Sequence, residues 1–193
     1  MAARAKREEA MNKQTKTTER TKSILSDAFW QLYCHEDIRK ISVKDITDRA
    51  GYNRSTFYQH FIDTYDVLEQ IEDSLINDIA ENVSKLLTSK NDTSWMKQIT
   101  AMYDLKSEYL SVLLGRNGDP AFLDKLKTVM RPIYINKIKI DTSDFQANLM
   151  LEFTSSGILA CIMYWYNQGK PIPAEEIVTM VRSIMKEGVL AAF

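Results

Sequence analysis

Two helix-start signals eleven residues apart, with one glycine between them, constrain this chain more than any other feature. In "SVKDITDRAG", Ser42 stands three residues before Asp45, a Ser-x-x-Asp variant of the capping box, and Val43, Ile46 and Ala50 follow at helical spacing. Gly51 ends that helix. Asn53 is a second cap candidate and opens another short helix through Gln59 or His60, with Phe57 and Phe61 on its inward side. Upstream, Ile24, Leu25, Ala28, Phe29, Leu32 and Tyr33 recur as one apolar stripe on a helix from about Thr18 to His35. Three helices, two of them joined by a glycine turn, predict a helix-turn-helix over residues 18–66.

That arrangement explains the crowding of donors after Gly51. The second helix of such a motif enters the DNA major groove with its N-terminal residues toward the base edges, so it needs polar groups on one face and apolar anchors on the other. Arg54, Ser55, Thr56 and Gln59 supply the first, and Phe57 and Phe61 the second. Arg can pair bidentately with guanine, Gln with adenine, and a Thr methyl can touch thymine. Tyr58 and His60 suit phosphates. Charge points the same way: residues 1–60 hold twelve Lys/Arg against eight Asp/Glu, whereas residues 61–193 hold thirteen against eighteen. Much of the excess falls in the first 22 residues, with seven basic and three acidic side chains and no large apolar residue beyond Met11. Residues 1–17 are therefore expected to form a flexible basic arm, and double-stranded DNA is the expected partner.

The run "ISVKDITDRAGYNRSTFYQHFIDTYDVL" resembles the DNA-binding domain of the tetracycline-repressor (TetR/AcrR) family, most specifically through Thr56-Phe57-Tyr58 and His60-Phe61. Farther on, "YLSVLLGRNGDPAFLDKLK" is similar to the C-terminal domain of a subgroup of these regulators from Gram-positive bacteria. The resemblance implies that Asn53, Arg54, Ser55 and Thr56 begin the recognition helix, that Ser42 and Lys44 sit by the DNA backbone, and that Tyr58 and His60 clamp phosphates. The chain departs from the family pattern at Thr47, where a small Ala is customary, at Asn53-Arg54-Ser55, which replaces Ser-x-Gly, and at Thr64, where many members carry Lys.

Residues 67–193 read as a helical bundle, so the fold class is all-α. Asp63 can cap a long helix with a stripe through Leu68, Ile71, Leu75, Ile79, Val83 and Leu86/Leu87. Shorter helices are expected over Trp95–Tyr103 and Lys106–Leu114, and longer ones over Pro120–Lys139, with Pro132 kinking it, Asp144–Tyr166 and Glu175–Leu190. The last two carry apolar faces with small residues, and with the family resemblance they imply a homodimer with Gly157, Cys161, Val181 and Met185 at its seam. A regulatory domain also needs an apolar cavity for a small-molecule effector; Trp95, Tyr103, Phe122, Tyr134 and Phe153 are the candidates for its wall.

Other classes find little support. The two histidines lie in or beside the helix-turn-helix, no HExxH, GxSxG, P-loop or GxGxxG run occurs, and Glu72-Asp73 and Glu175-Glu176 are expected on exposed helix faces. No catalytic residues, metal site or cofactor are expected. Cys34 and Cys161 lack ligand spacing and read as buried thiols. With no apolar leader and no continuous apolar span of bilayer length, a cytoplasmic protein without membrane contact is expected. The function these readings imply is a ligand-responsive, homodimeric DNA-binding repressor of a near-palindromic operator. The alternative is a similar regulator that acts through a partner protein docked on its C-terminal domain.

Overall fold

The structure is a computed structural model that describes residues 2–88, 101, 106–115, 118–139 and 141–187. Every regular element among the described residues is helical: α1 (Ala2–Tyr33), a 3-10 turn (Ile38–Lys40), α2 (Val43–Ala50), α3 (Arg54–Phe57), α4 (Thr64–Thr88), α5 (Ser107–Leu113), α6 (Pro120–Ile138), α7 (Phe145–Asn167) and α8 (Ala174–Glu187). The all-α expectation holds. Apart from Ala101, the helix expected over Trp95–Tyr103 lies outside the described residues. The chain divides into two compact units, Met1–Asp73 and Ser74–Phe193, so the division falls inside α4 and not at the 66/67 boundary expected from the sequence.

In the first unit, Leu25 and Phe29 of α1, Ile46 of α2, Phe57 of α3 and Val67 of α4 are fully buried and form the centre of the core. Phe29 stacks on Tyr33 with ring centroids 5.5 Å apart, and Phe57 lies 5.4 Å from Phe61. Trp30 is also buried, although it lies outside the stripe expected on α1.

The largest departure is at the N-terminus, where α1 begins at Ala2 and residues 2–17 continue the helix in place of a flexible arm. Ala, Arg, Lys, Glu, Met and Gln fill most of that segment and are the strongest helix formers, so propensity favours the helix without an apolar stripe. A second correction concerns Glu72, which is buried at 1% exposure and not on an open face. It lies one turn from both Leu68 and Ile76, so the buried face of α4 runs through it.

In the second unit the core draws Leu75, Ile76 and Ile79 from α4, Leu110 and Leu113 from α5, Phe122, Leu126 and Met130 from α6, and Leu151, Ile162, Trp165 and Tyr166 from α7. Lys106 Nζ lies 2.6 Å from Asp78 Oδ2, joining the start of α5 to α4. Asp119 and Asp144 cap α6 and α7 by accepting from the amides of Ala121 and Gln146, with Pro120 in the first turn of α6 and Pro132 inside it. A polar ladder then ties these two helices together. Arg131 Nη2 donates to Asn148 Oδ1 at 2.6 Å, and Lys127 Nζ donates to Ser156 Oγ at 3.0 Å and reaches Glu152 Oε1 at 3.4 Å. Hydrogen bonds from Ser156 and Lys127, with the Lys127 charge, hold the Glu152 carboxyl below its ordinary pKa. After α7 the chain turns through Gly169 and Lys170, both at positive φ, and Trp165 Nε1 donates to the Ile172 carbonyl. Cys34 and Cys161 form no disulfide among the described residues and are half-buried, less enclosed than expected.

One face of α7 is left uncovered by the described residues. Phe145, Leu149, Phe153, Gly157, Ala160 and Tyr164 recur at three- and four-residue spacing and are all exposed, Phe145 at 77% and Phe153 at 74%. By length and composition alone this helix could cross a membrane.

Candidate nucleic-acid interface

The two short helices that would meet DNA are set by their caps. Ser42 Oγ accepts from the Asp45 amide at 3.2 Å, while Asp45 Oδ2 accepts from the Ser42 amide at 2.9 Å and from its hydroxyl at 2.5 Å. The box is reciprocal, and these bonds hold the Asp45 carboxyl below its ordinary pKa. Gly51 closes α2 at φ 72°, a left-handed conformation that strains any residue with a Cβ. Thr47, where the family pattern carries Ala, is buried and satisfied: its hydroxyl donates to the Val43 carbonyl at 2.9 Å and lies 3.1 Å from that of Lys44.

Asn53 opens α3. Its Oδ1 accepts from the Thr56 amide at 2.8 Å, the Thr56 hydroxyl at 2.9 Å and the Ser55 hydroxyl at 2.6 Å. The α-helical part is a single turn, shorter than the expected run to Gln59 or His60. Beyond Phe57 the backbone tightens, with the Gln59 amide bonding the Thr56 carbonyl and the His60 amide bonding that of Phe57.

The nine residues expected to touch DNA are therefore not equivalent. Ser42, Asn53, Ser55 and Thr56 spend their hydrogen bonds on helix starts. Lys44, Arg54 and Gln59 are exposed and make no side-chain hydrogen bond or ion pair among the described residues, so they are free to engage a ligand. Tyr58 is exposed, its ring edge-on to Phe57 at 5.5 Å, whereas His60 is half-buried against Phe61. Ile62 and Tyr65 are also exposed beside this surface, at 79% and 54%. The sequence signal for them is their phase, since each falls between the buried positions Phe61, Thr64 and Val67–Leu68.

Nearby cations are partly committed. Arg39 grips Asp37 with Nε and Nη2 at 2.9 and 2.6 Å, which drives the Asp37 carboxyl far down and the guanidinium up. Arg49 Nη1 donates to Gln31, and Lys22 Nζ stands 5.9 Å over the Phe61 ring. At the start of α4, Asp63 Oδ1 accepts from the Asp66 amide and Asp66 Oδ2 from that of Ile62. Thr64, where the family pattern often has Lys, is buried.

Of the other expected site residues, Phe122 is fully buried and Tyr134 half-buried, its phenol pushed up by desolvation. Twelve residues separate them on α6, about 18 Å along the axis at ~1.5 Å per residue. Phe153 does not join them, because it lies on the open face of α7, and Trp95 and Tyr103 lie outside the described residues. Gly157 belongs to that open face, Cys161 and Val181 are half-buried, and the Met185 side chain lies outside the described residues.

Comparison with known proteins agrees with the geometry. Residues 25–71 match the family of bacterial regulatory proteins called tetR, and residues 90–187 match a transcriptional regulator C-terminal region. A curated relative is an uncharacterized HTH-type transcriptional regulator, YxbF, from Bacillus subtilis (strain 168), 23% identical over 164 residues that cover 81% of this chain. The chain spans 42% of that relative's length. Among solved structures, a TetR regulator from Streptococcus agalactiae 2603V is similar with a TM-score of 0.67 and 21% identity, covering 91% of this chain and 98% of its own. The fatty acid degradation regulator FadR from Bacillus halodurans is similar with a TM-score of 0.64 and 14% identity, covering 88% and 96%. With more than half of its residues matched by these two family descriptions and the helix-turn-helix built as above, the chain belongs to the tetR family of bacterial regulatory proteins.

Proposed function

We propose that the chain is a homodimeric, ligand-responsive transcriptional repressor that binds a near-palindromic operator. The observation that carries DNA binding is the contrast between neighbouring residues in and around α3. Asn53, Ser55 and Thr56 consume one another's hydrogen bonds, while Arg54 and Gln59 stand exposed with theirs unused. A one-turn helix presenting an Arg, with a Gln in the tight turn just beyond it, suits guanine and adenine edges.

The uncovered apolar row on α7 supports self-association, because a monomer rarely leaves a contiguous apolar face open to water. Two copies joined there would carry two heads to two half-sites. The effector, held in the second unit, would favour a dimer geometry whose heads no longer match adjacent grooves. Metal and cofactor have no part in this reading, and it places the protein in the cytoplasm.

The test is binding of the full chain to duplexes selected from a random pool, with Arg54→Ala beside it. Arg54→Ala should lose about 1–3 kcal/mol on the selected site and much less on random duplex. Equal losses on both would demote Arg54 to a phosphate contact. The same open row also admits a partner protein as the second reading, and sedimentation separates the two: a monomer that still binds a palindromic site tightly would favour it.

A further inference from the structure

Charge and geometry together single out the N-terminal segment of the first unit. Residues 18–66, which hold the whole helix-turn-helix, carry seven Lys/Arg against eight Asp/Glu, a net charge of −1. Arg39 is also locked to Asp37, Arg49 is bonded to Gln31, and the starts of α2 and α4 are closed by Asp45, Asp63 and Asp66. A head of this kind supplies little of the phosphate neutralisation that gives DNA-binding proteins most of their non-specific affinity. Residues 2–17 carry five Lys/Arg against two Asp/Glu, a net charge of +3.

These sixteen residues are continuous with α1 and span about 24 Å at ~1.5 Å per residue. The helix leaves the packed part of the domain near Lys22, which stands over Phe61 at the end of the α3 segment, and every side chain from Thr15 to Arg20 is exposed. Its root is thus beside the base-reading surface. Apart from Met11 it has no large apolar residue with which to seat a second copy, so its charge selects a polyanion.

We propose that residues 2–17 form a helical outrigger that docks on the phosphates of the same duplex, outside the half-site read by α3, and supplies the positive charge that the head lacks. This rests on the reading of α2 and α3 as the DNA head.

The test compares the full chain with a chain lacking residues 2–17 and with one in which Arg4, Lys6, Arg7, Lys13 and Lys16 are all changed to Gln, which keeps a helix-compatible side chain at each position. Binding is measured against salt on the selected site, both as a duplex trimmed to the site and as one extended by a helical turn on each side. Both variants should lower the slope of log affinity against log salt by about 0.9 for each phosphate released, up to about 4.5 in total, while site preference is retained. The gain from the longer duplex should vanish with the charges. An unchanged slope and an unchanged flank effect, with site preference still lost in Arg54→Ala, would overturn the outrigger and leave the head reading standing. Failure of the full chain to prefer any duplex would overturn both.

Discussion

Gly51 and Asn53 carry the turn between them, and each makes a separable prediction. A Cβ at Gly51 would meet nothing within 4 Å, so Gly51→Ala should act only through its left-handed backbone, at φ 72°. A loss of about 1–2 kcal/mol in urea unfolding is expected, with Gly51→Asn milder. Asn53→Ala should cost about 1 kcal/mol for the cap and also release the Ser55 and Thr56 hydroxyls, broadening site preference in a selection experiment. Asp45 adds a pH dependence. Its folded pKa is depressed, so the capping box is fully present above the unfolded carboxylate value of about 3.9 and is lost as pH falls through the lower folded value. Amide exchange in α2 should quicken across that acid window and lose this dependence in Asp45→Asn. Both caps were legible in the sequence because a cap is a local pattern. The diversion of Ser55 and Thr56 from DNA to Asn53 was not, because the same hydroxyls satisfy either role and only the fold decides between them.

At the scale of the element, α1 shows what periodicity reveals and what it leaves out. Its inner half follows the apolar stripe, and Phe29, fully buried there, is expected to cost about 3–5 kcal/mol when truncated to Ala, enough to unfold the head in a thermal melt. Its outer half follows no stripe, since helix propensity rather than burial sustains it, and buried faces alone place the start of the helix sixteen residues too late. The buried faces of α4 and α1 were read correctly in direction but too narrowly. Trp30 and Glu72 fall at the edges of their stripes, where a one-residue change of phase decides between core and solvent. The recognition turn was overestimated for a different reason: the polar and aromatic residues after Phe57 are compatible with α-helix, and the tightening toward i→i+3 bonds is set by the need to bring Phe61 back to the core.

For the whole molecule, the proposed pairing through the open row on α7 makes the sharpest prediction. Phe153→Glu should leave the fold of each chain intact, since Phe153 is 74% exposed, and yet place an unpaired charge at the proposed seam. Sedimentation should show monomers, with operator binding lost and the melting temperature of the dilute chain little changed. That row was visible in the sequence as an apolar helix, but the choice between interior and surface needed the packing of α5 and α8 against it. The same row has a genetic consequence. On the proposed pairing, a chain with a disabled recognition turn and an intact α7 would still pair with normal subunits, so each mixed pair would arrive at the operator with one working head. Such alleles should be dominant over the normal gene when coexpressed, whereas alleles that break α7 should be recessive.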